Sequence, residues 1–280
     1  MLYVWSKLSA IKWEDAWVER FRGLHQTGLV ITHFPNGKTV RVEVYCEREK
    51  DAFKIQKEFG GQVRPLKPQN WQAVAAQSLQ PIKVRDQLII THSEERAVEM
   101  RSAYPRRHVL CIPGEMAFGT GDHATTATCL RLLVDFASAK REVPWSLLDL
   151  GCGTGILALA ARVLGARHVD GFDYDPAAVR VANKHARLNG VKKLKFTRDD
   201  VTTWQPTRTY DVVTANIFYD VLTMSFERIT SAIAPRGIVI VSGILHTQAE
   251  GCLAAGRLAG LVLRTIIRKG KWITAVGSKE

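Results

Sequence analysis

Residues 147–157 read "LLDLGCGTGIL", and the fold turns on how this run is parsed. "SLLDL" is a short buried strand, three glycines make a turn, and "GILALAARVLG" is a helix that stops at Gly165. Strand, glycine turn and helix open a βαβ unit. The same alternation continues downstream. "RHVDGFDYD" is a second strand, and the next helix has Asp175 as N-cap, Pro176 at its first position and a stop at Asn189-Gly190. "KLKFTRD" and "YDVVTANI" supply a third and a fourth strand. The helix "YDVLTMSFERITSAI" precedes "GIVIVSGIL", the fifth. After one more helix, "GLVLRTIIR" and "KWITAVGS" lie close enough to pair antiparallel. The expected class is α/β, a doubly wound, Rossmann-like, mostly parallel sheet with an edge hairpin, whose ligands sit at the carboxyl ends of the strands.

The front of the chain follows another pattern. "LYVWSKLS" has strand character, and a helix is predicted over 12–24, with Trp13, Trp17 and Phe21 on one face. "GLVITHF" and "KTVRVEVYCE" flank Asn36-Gly37, a hairpin signal. A second helix places Ala52, Phe53, Ile55 and Phe59 inward and stops at Gly60, and "QVRPLKP" is an edge strand. The order β-α-β-β-α-β predicts a ferredoxin-like α+β domain over 1–68. The aromatic stripe reads as core. The glycine-aromatic signature of an RNA-recognition strand is missing from "RVEVYCE", so this domain suits a protein or peptide better than RNA bases. Residues 69–110, with the strand candidate "DQLIITHS", read as a connector, and 111–280 as the domain that carries the chemistry.

Composition narrows the function classes. The chain has 280 residues, 46% of them apolar and 24% charged, an ordinary globular balance for two domains. No apolar run approaches the roughly 18 residues of a membrane span. Acidic residues come too early at the N-terminus for an export signal, so a cytoplasmic protein without membrane contact is expected. The five cysteines are scattered, with no Cys-x-x-Cys pair, so neither a disulfide framework nor a metal site is indicated. Net charge is +12, with 18 basic against 12 acidic residues up to position 110 and 21 against 15 beyond it. Such an excess makes contact with RNA, or with something that sits on RNA, credible. The pairs Arg106-Arg107 and Lys192-Lys193 read as solvated surface.

The glycine turn departs from the dinucleotide fingerprint. It runs G-x-G-x-G at Gly151, Gly153 and Gly155, with Asp149 just ahead. A carboxylate there repels a pyrophosphate and suits a cation, and S-adenosylmethionine carries a sulfonium and an ammonium. Asp173, 22 residues after Gly151 at the end of the second strand, is placed to accept both ribose hydroxyls. Asp199 or Asp200, ending the third strand, is a candidate acceptor for the adenine amino group, and a solvated turn is the equal alternative. Asn216 ends the fourth strand. Its amide oxygen and adjacent carbonyls, Ile217 included, can accept hydrogen bonds from an incoming amine, with a turn-capping role equally weighted. A second glycine-rich stretch, "GEMAFGTGDHATT" at 114–126, has Thr125-Thr126 as a helix start.

Taken together, "AFGTGDHATT", "LLDLGCGTGILALAA", "GFDYDP", "ANI" and "SGILHTQAE" resemble the signatures of the bacterial methyltransferases that modify ribosomal protein eleven of the large subunit, the PrmA-like family. The resemblance is close over about residues 108–250. It implies a front domain that captures a large-subunit ribosomal protein and a rear domain that moves methyl groups from S-adenosylmethionine to lysine ε-amines and an α-amine. By position, Thr126, Gly151, Asp173 and Asn216 match the family's cofactor-binding residues. The resemblance also implies that "AFGTG" folds over the cofactor, with Phe118 as apolar contact, Gly119, Thr120 and Gly121 in the lid, and His123 ordering it. "PGEMAF" has one residue more than the family pattern. The reaction expected is in-line displacement by a neutral amine. Two alternatives stand beside it, an RNA methyltransferase and a lysine methyltransferase for a non-ribosomal protein. A non-catalytic assembly factor is a third.

Overall fold

The computed structural model describes residues 2–21, 28–34, 37–66, 80–114, 119–140 and 143–280. Its contacts divide the chain into two units, Met1–Trp71 and Gln72–Glu280.

The first unit runs β1 (Leu2–Ala10), α1 (Glu14–Phe21), β2 (Gly28–His33), β3 (Thr39–Cys46), α2 (Glu49–Phe59) and β4 (Gln62–Leu66). The sheet order is β2-β3-β1-β4, antiparallel throughout, as the ferredoxin-like expectation requires. Strict alternation on β3 puts Val40, Val42, Val44 and Cys46 on the helix-covered face. Trp5 is fully buried among Trp17, Phe21 and Phe59, with ring centroids 5.8–6.3 Å away. One correction concerns the aromatic stripe. Helix α1 begins at Glu14, so Trp13 lies in a preceding 3-10 turn and is 55% exposed; only Trp17 and Phe21 join the core. Phe53 is likewise exposed, because Ala52 and Ile55 already face the sheet. Gly37 has φ 64 and donates to the Phe34 carbonyl at 3.0 Å; Asn36 lies outside the described residues. Pro65 sits on β4, an edge strand where its missing N–H costs no ladder bond.

In the second unit, β5 (Ile82–Val84), β6 (Leu88–Thr91), α3 (Glu94–Ala103) and β7 (His108–Cys111) build a small sheet in the order β5-β6-β7. These residues belong to the stretch read as a connector. Here Leu88, Ile90, Leu110 and Ile112 are buried with Leu130 and Leu133 of α4 (Ala124–Ala139). The main sheet follows: β8 (Ser146–Leu150), α5 (Ile156–Val163), β9 (His168–Asp173), α6 (Pro176–Leu188), β10 (Phe196–Arg198), β11 (Tyr210–Asn216), α7 (Tyr219–Ala232), β12 (Ile233–Leu245), α8 (Ala249–Leu258), β13 (Leu261–Lys269) and β14 (Trp272–Lys279).

Its order is β10-β9-β8-β11-β12-β14-β13. Neighbours from β10 to β12 are parallel, and β14 is antiparallel to both β12 and β13. The hairpin at the edge therefore folds inward. β13 is the outer strand and β14 fills the place beside β12. Ser242 and Thr274 hydroxyls meet at 2.7 Å across that inner junction. Both faces are covered, which is why all five residues of β8 are buried: Leu147 packs with α4 and α5, Leu148 and Leu150 with α7. The strand order reverses between β8 and β11, which opens a crevice at their carboxyl ends.

Candidate functional site

A cavity of about 610 Å³ occupies that crevice. Gly151 and Gly153 from the loop after β8 reach it, as do Asp173 at the end of β9, Asp199 and Asp200 after β10, and Asn216 and Ile217 at the end of β11. Phe172, Val201 and Val221 give it an apolar lining. Sequence-distant residues are thus gathered because parallel strands end on the same side.

Two glycines shape the turn after Asn216. Gly151 has φ 65 and Gly243 φ 87. A Cβ on Gly151 would overlap the Ile217 side chain, and one on Gly243 would overlap the Ile217 carbonyl. The chain at 216–217 is thus threaded between two backbones, and both glycines are needed for space as well as for φ.

Asp173 is fixed by backbone donors on either side. Its Oδ2 accepts from the Gly153 N–H at 2.8 Å and its Oδ1 from the Asp175 N–H at 2.9 Å. Each oxygen keeps a further lone pair for a ligand. Asp175 itself caps α6, accepting from the Ala177 N–H at 2.7 Å, with Pro176 in the first turn as expected. Asp200 is engaged in its own turn: its Oδ1 accepts from Thr202 N–H at 2.9 Å and Thr202 Oγ1 at 2.7 Å, and these bonds hold its carboxyl below the usual range.

Asp149 lies elsewhere. It is 1% exposed and sits beneath the loop, off the cavity wall. Its Oδ1 accepts from Thr214 Oγ1 at 2.7 Å and its Oδ2 from the Ala158 N–H at 3.3 Å. Burial pushes its pKa up to about 7 against the pull of those two bonds. The negative field at the cavity comes instead from Asp173, Asp175, Asp199 and Asp200, and no Lys or Arg stands among the described lining residues.

Asn216 donates from Nδ2 to Thr126 Oγ1 at 3.3 Å, whereas its Oδ1 is buried and has no partner. A buried amide oxygen left unpaired is costly, and here it belongs to a residue of the cavity wall. Thr126 itself is buried behind the wall, and Thr125 is on it. The helix cap is His123 rather than the threonine pair. Its Nδ1 accepts from the Thr125 N–H at 3.4 Å and lies 2.7 Å from Thr125 Oγ1, and its ring stands edge-on to Trp272 at 5.1 Å. Burial lowers the His123 pKa, with Asp122 opposing and Lys271 adding, so a neutral ring is available to accept those bonds.

Of the lid stretch, Phe118 lies outside the described residues. Gly119, Thr120 and Gly121 are not on the cavity wall. Thr154 Oγ1 donates to the Gly119 carbonyl, the Thr120 hydroxyl bonds Asp122, and Gly121 packs against Ile156, Ile82 and Ile90. Sequence reasoning missed Gly243, Tyr174, Thr202, Phe218 and Trp272, all lining the cavity. Gly243 lies inside the quoted "SGILHTQAE"; Trp272 gave no signal, since it arrives on the inserted strand. Among the described residues, no cluster of His, Cys, Asp or Glu is arranged to hold a metal ion, and no helix is long and apolar enough to cross a membrane.

Residues 7–280 match the family described as "Ribosomal protein L11 methyltransferase (PrmA)". Curated relatives of that name include one from Azotobacter vinelandii, 36% identical over 78% of this chain and 71% of its own length. Another, from Pseudomonas aeruginosa, is 37% identical over 78% of this chain and 70% of its own. The Heliobacterium modesticaldum protein is 35% identical over 61% of this chain, and the match spans only 53% of that relative. A solved structure titled as the ribosomal protein L11 methylase of Lactobacillus delbrueckii subsp. bulgaricus superposes with a TM-score of 0.61 at 25% identity, covering 72% of this chain and all of that one.

Proposed function

We propose that this chain, which belongs to the ribosomal protein L11 methyltransferase family, moves methyl groups from S-adenosylmethionine to lysine ε-amines, and to an α-amine, of ribosomal protein L11 in the cytoplasm. The observation that carries the reading is the unpaired, buried Asn216 Oδ1 at the cavity wall. It is an acceptor waiting for a donor, and an amine N–H is such a donor. The four carboxylates at the cavity suit a sulfonium and an ammonium and disfavour a pyrophosphate.

In this reading Asp173 takes the ribose hydroxyls, Asp200 the adenine amino group, and the Gly151–Gly153 backbone lies against the amino-acid end. Asp149 serves from beneath, holding the loop to α5 and β11. Gly119, Thr120 and Gly121, off the cavity wall here, belong to the segment proposed to cover the cofactor, and His123 and Thr125 fix its end at the start of α4. The bound cofactor supplies an activated methyl group. The protein's own work is to hold the amine neutral and aimed. A free lysine costs ~4–5 kcal/mol to deprotonate near neutral pH, given a pKa near 10.4. Desolvation in an apolar slot lowers that cost. Asn216 Oδ1 and the Ile217 carbonyl then accept the amine N–H groups and turn its lone pair inward, while Phe218 and Trp272 exclude water. The first unit is the proposed receptor for the ribosomal protein, and the basic surface the proposed contact with ribosomal RNA.

Asn216→Ala is the test. Loss of a positioned acceptor of this kind is expected to cut kcat by about 10²–10³, with S-adenosylmethionine affinity by calorimetry kept within threefold. A kcat equal to that of the unaltered protein would remove Asn216 from the reaction.

A further inference from the structure

A second concavity, of about 660 Å³, lies at the amino ends of the strands, on the opposite side of the sheet from the proposed transfer site. Its walls include Arg162, Arg167, His168, Asp170, Lys193 and Arg208. His168 begins β9 and Asp173 ends it, so the two sites are separated by the length of a strand, roughly 16 Å at about 3.3 Å per residue.

Local bonds use some of these groups and leave others open. Arg162 donates to the Ala166 carbonyl and, at 3.0 Å, to the Arg167 carbonyl, which closes the turn after α5. The Asp170 carboxylate accepts from the Tyr210 hydroxyl at 2.7 Å, and the Arg208 guanidinium lies 5.1 Å from the Tyr210 ring centre. Arg167, Lys193 and Arg208 are exposed and have no carboxylate within ion-pair distance among the described residues. Lys193 adopts φ 59, one of only three non-glycine residues described with positive φ. A side chain with a Cβ resists that conformation, and such backbone outliers collect at functional sites.

Three exposed cations without an ion-pair partner among the described residues outnumber the one carboxylate, Asp170, in this polar concavity, and that excess calls for an anion. No exposed apolar side chain stands among the lining residues, so the groove lacks the apolar centre of a protein-binding surface. Guanidinium forks match phosphate oxygens in pairs, and the +12 charge of the whole chain adds a field of the same sign. We infer that this groove holds phosphates of an RNA strand, separately from the methyl-transfer cavity. The inference does not depend on which amine is methylated.

Fluorescence anisotropy with a fluorescein-labelled 20-nucleotide single-stranded RNA tests it on the full chain. The triple variant Arg167→Glu/Lys193→Glu/Arg208→Glu is expected to bind at least tenfold more weakly. Its log–log salt slope is expected to be shallower by about 2, three contacts at ~0.7 each. The same charge change on β13, Arg264→Glu/Arg268→Glu/Lys269→Glu, is expected to stay within threefold of the unaltered protein. Calorimetric affinity for S-adenosylmethionine, retained in both triples, reports intact folding and keeps this test separate from that of methyl transfer. Lys193→Gly, which relieves the positive φ, is expected to fold at least as well and still bind RNA more weakly; it reads the groove even if the triple variant misfolds. The inference is overturned if the groove triple binds within twofold of the unaltered protein, if the β13 triple loses as much, or if Lys193→Gly changes nothing. Displacement of the RNA by a polyglutamate peptide at equal charge would assign the groove to an acidic protein instead.

Discussion

Asp173 holds two backbone N–H groups, from Gly153 and Asp175, so one carboxylate ties the glycine loop to the start of α6. Asp173→Ala therefore removes the proposed ribose acceptor and slackens the loop at once. Hydrogen bonds to a charged group contribute ~1.5–3 kcal/mol each, so S-adenosylmethionine affinity is expected to fall at least about tenfold. Calorimetric titration giving equal affinity would remove the ribose assignment. The place of Asp173 was readable from sequence because it depends only on local spacing: one helix and one strand after the glycine turn. Asn216 was readable for the same reason. Asp149 was readable as an acid but not as a buried one, because the turn that hides its carboxylate needs Thr214 from a strand far along the chain. His123 as a helix cap was not legible either, since imidazole is an uncommon choice where threonines follow.

At the scale of elements, the chain alternation was legible wherever one strand's burial pattern sufficed. The ferredoxin-like order and the β8-to-β12 succession needed no long-range knowledge. The insertion of β14 between β12 and β13 did, because hairpin pairing is local but the side on which a hairpin docks is not. The same holds for the small β5–β7 sheet, whose four-residue strands β6 and β7 pair in parallel across α3. Beside its apolar packing on α4, that sheet is tied to the rest by Asn189, at the C-terminus of α6. Its Oδ1 accepts from the Cys111 N–H at 2.7 Å, and its Nδ2 donates to the Cys111 carbonyl at 2.8 Å. Asn189→Ala strands both of those backbone groups. A loss of ~2–4 kcal/mol is expected, from two groups at ~1–2 each, and chemical denaturation measures it. A variant as stable as the unaltered protein would show that Asn189 does not fasten β7.

For the whole molecule, the buried Asp149 makes stability depend on pH. Its native pKa, raised to about 7 chiefly by burial, stands above the ordinary carboxylate value. The folded chain keeps a proton that the unfolded chain has released, so this contribution is complete below about pH 4 and is lost as pH rises through 7. Asp149→Asn cannot titrate. Its melting temperature is expected to fall less between pH 5 and pH 8 than that of the unaltered protein. Parallel melting curves across that range would mean Asp149 is ionised in the native state. The proposed activity is transfer of methyl groups to a ribosomal protein. It is tested most directly by the intact mass of ribosomal protein L11 before and after incubation with this enzyme and S-adenosylmethionine. Methyl-sized increments that disappear with Asn216→Ala are expected; an unchanged mass, from an enzyme that binds the cofactor normally, would contradict the assigned substrate.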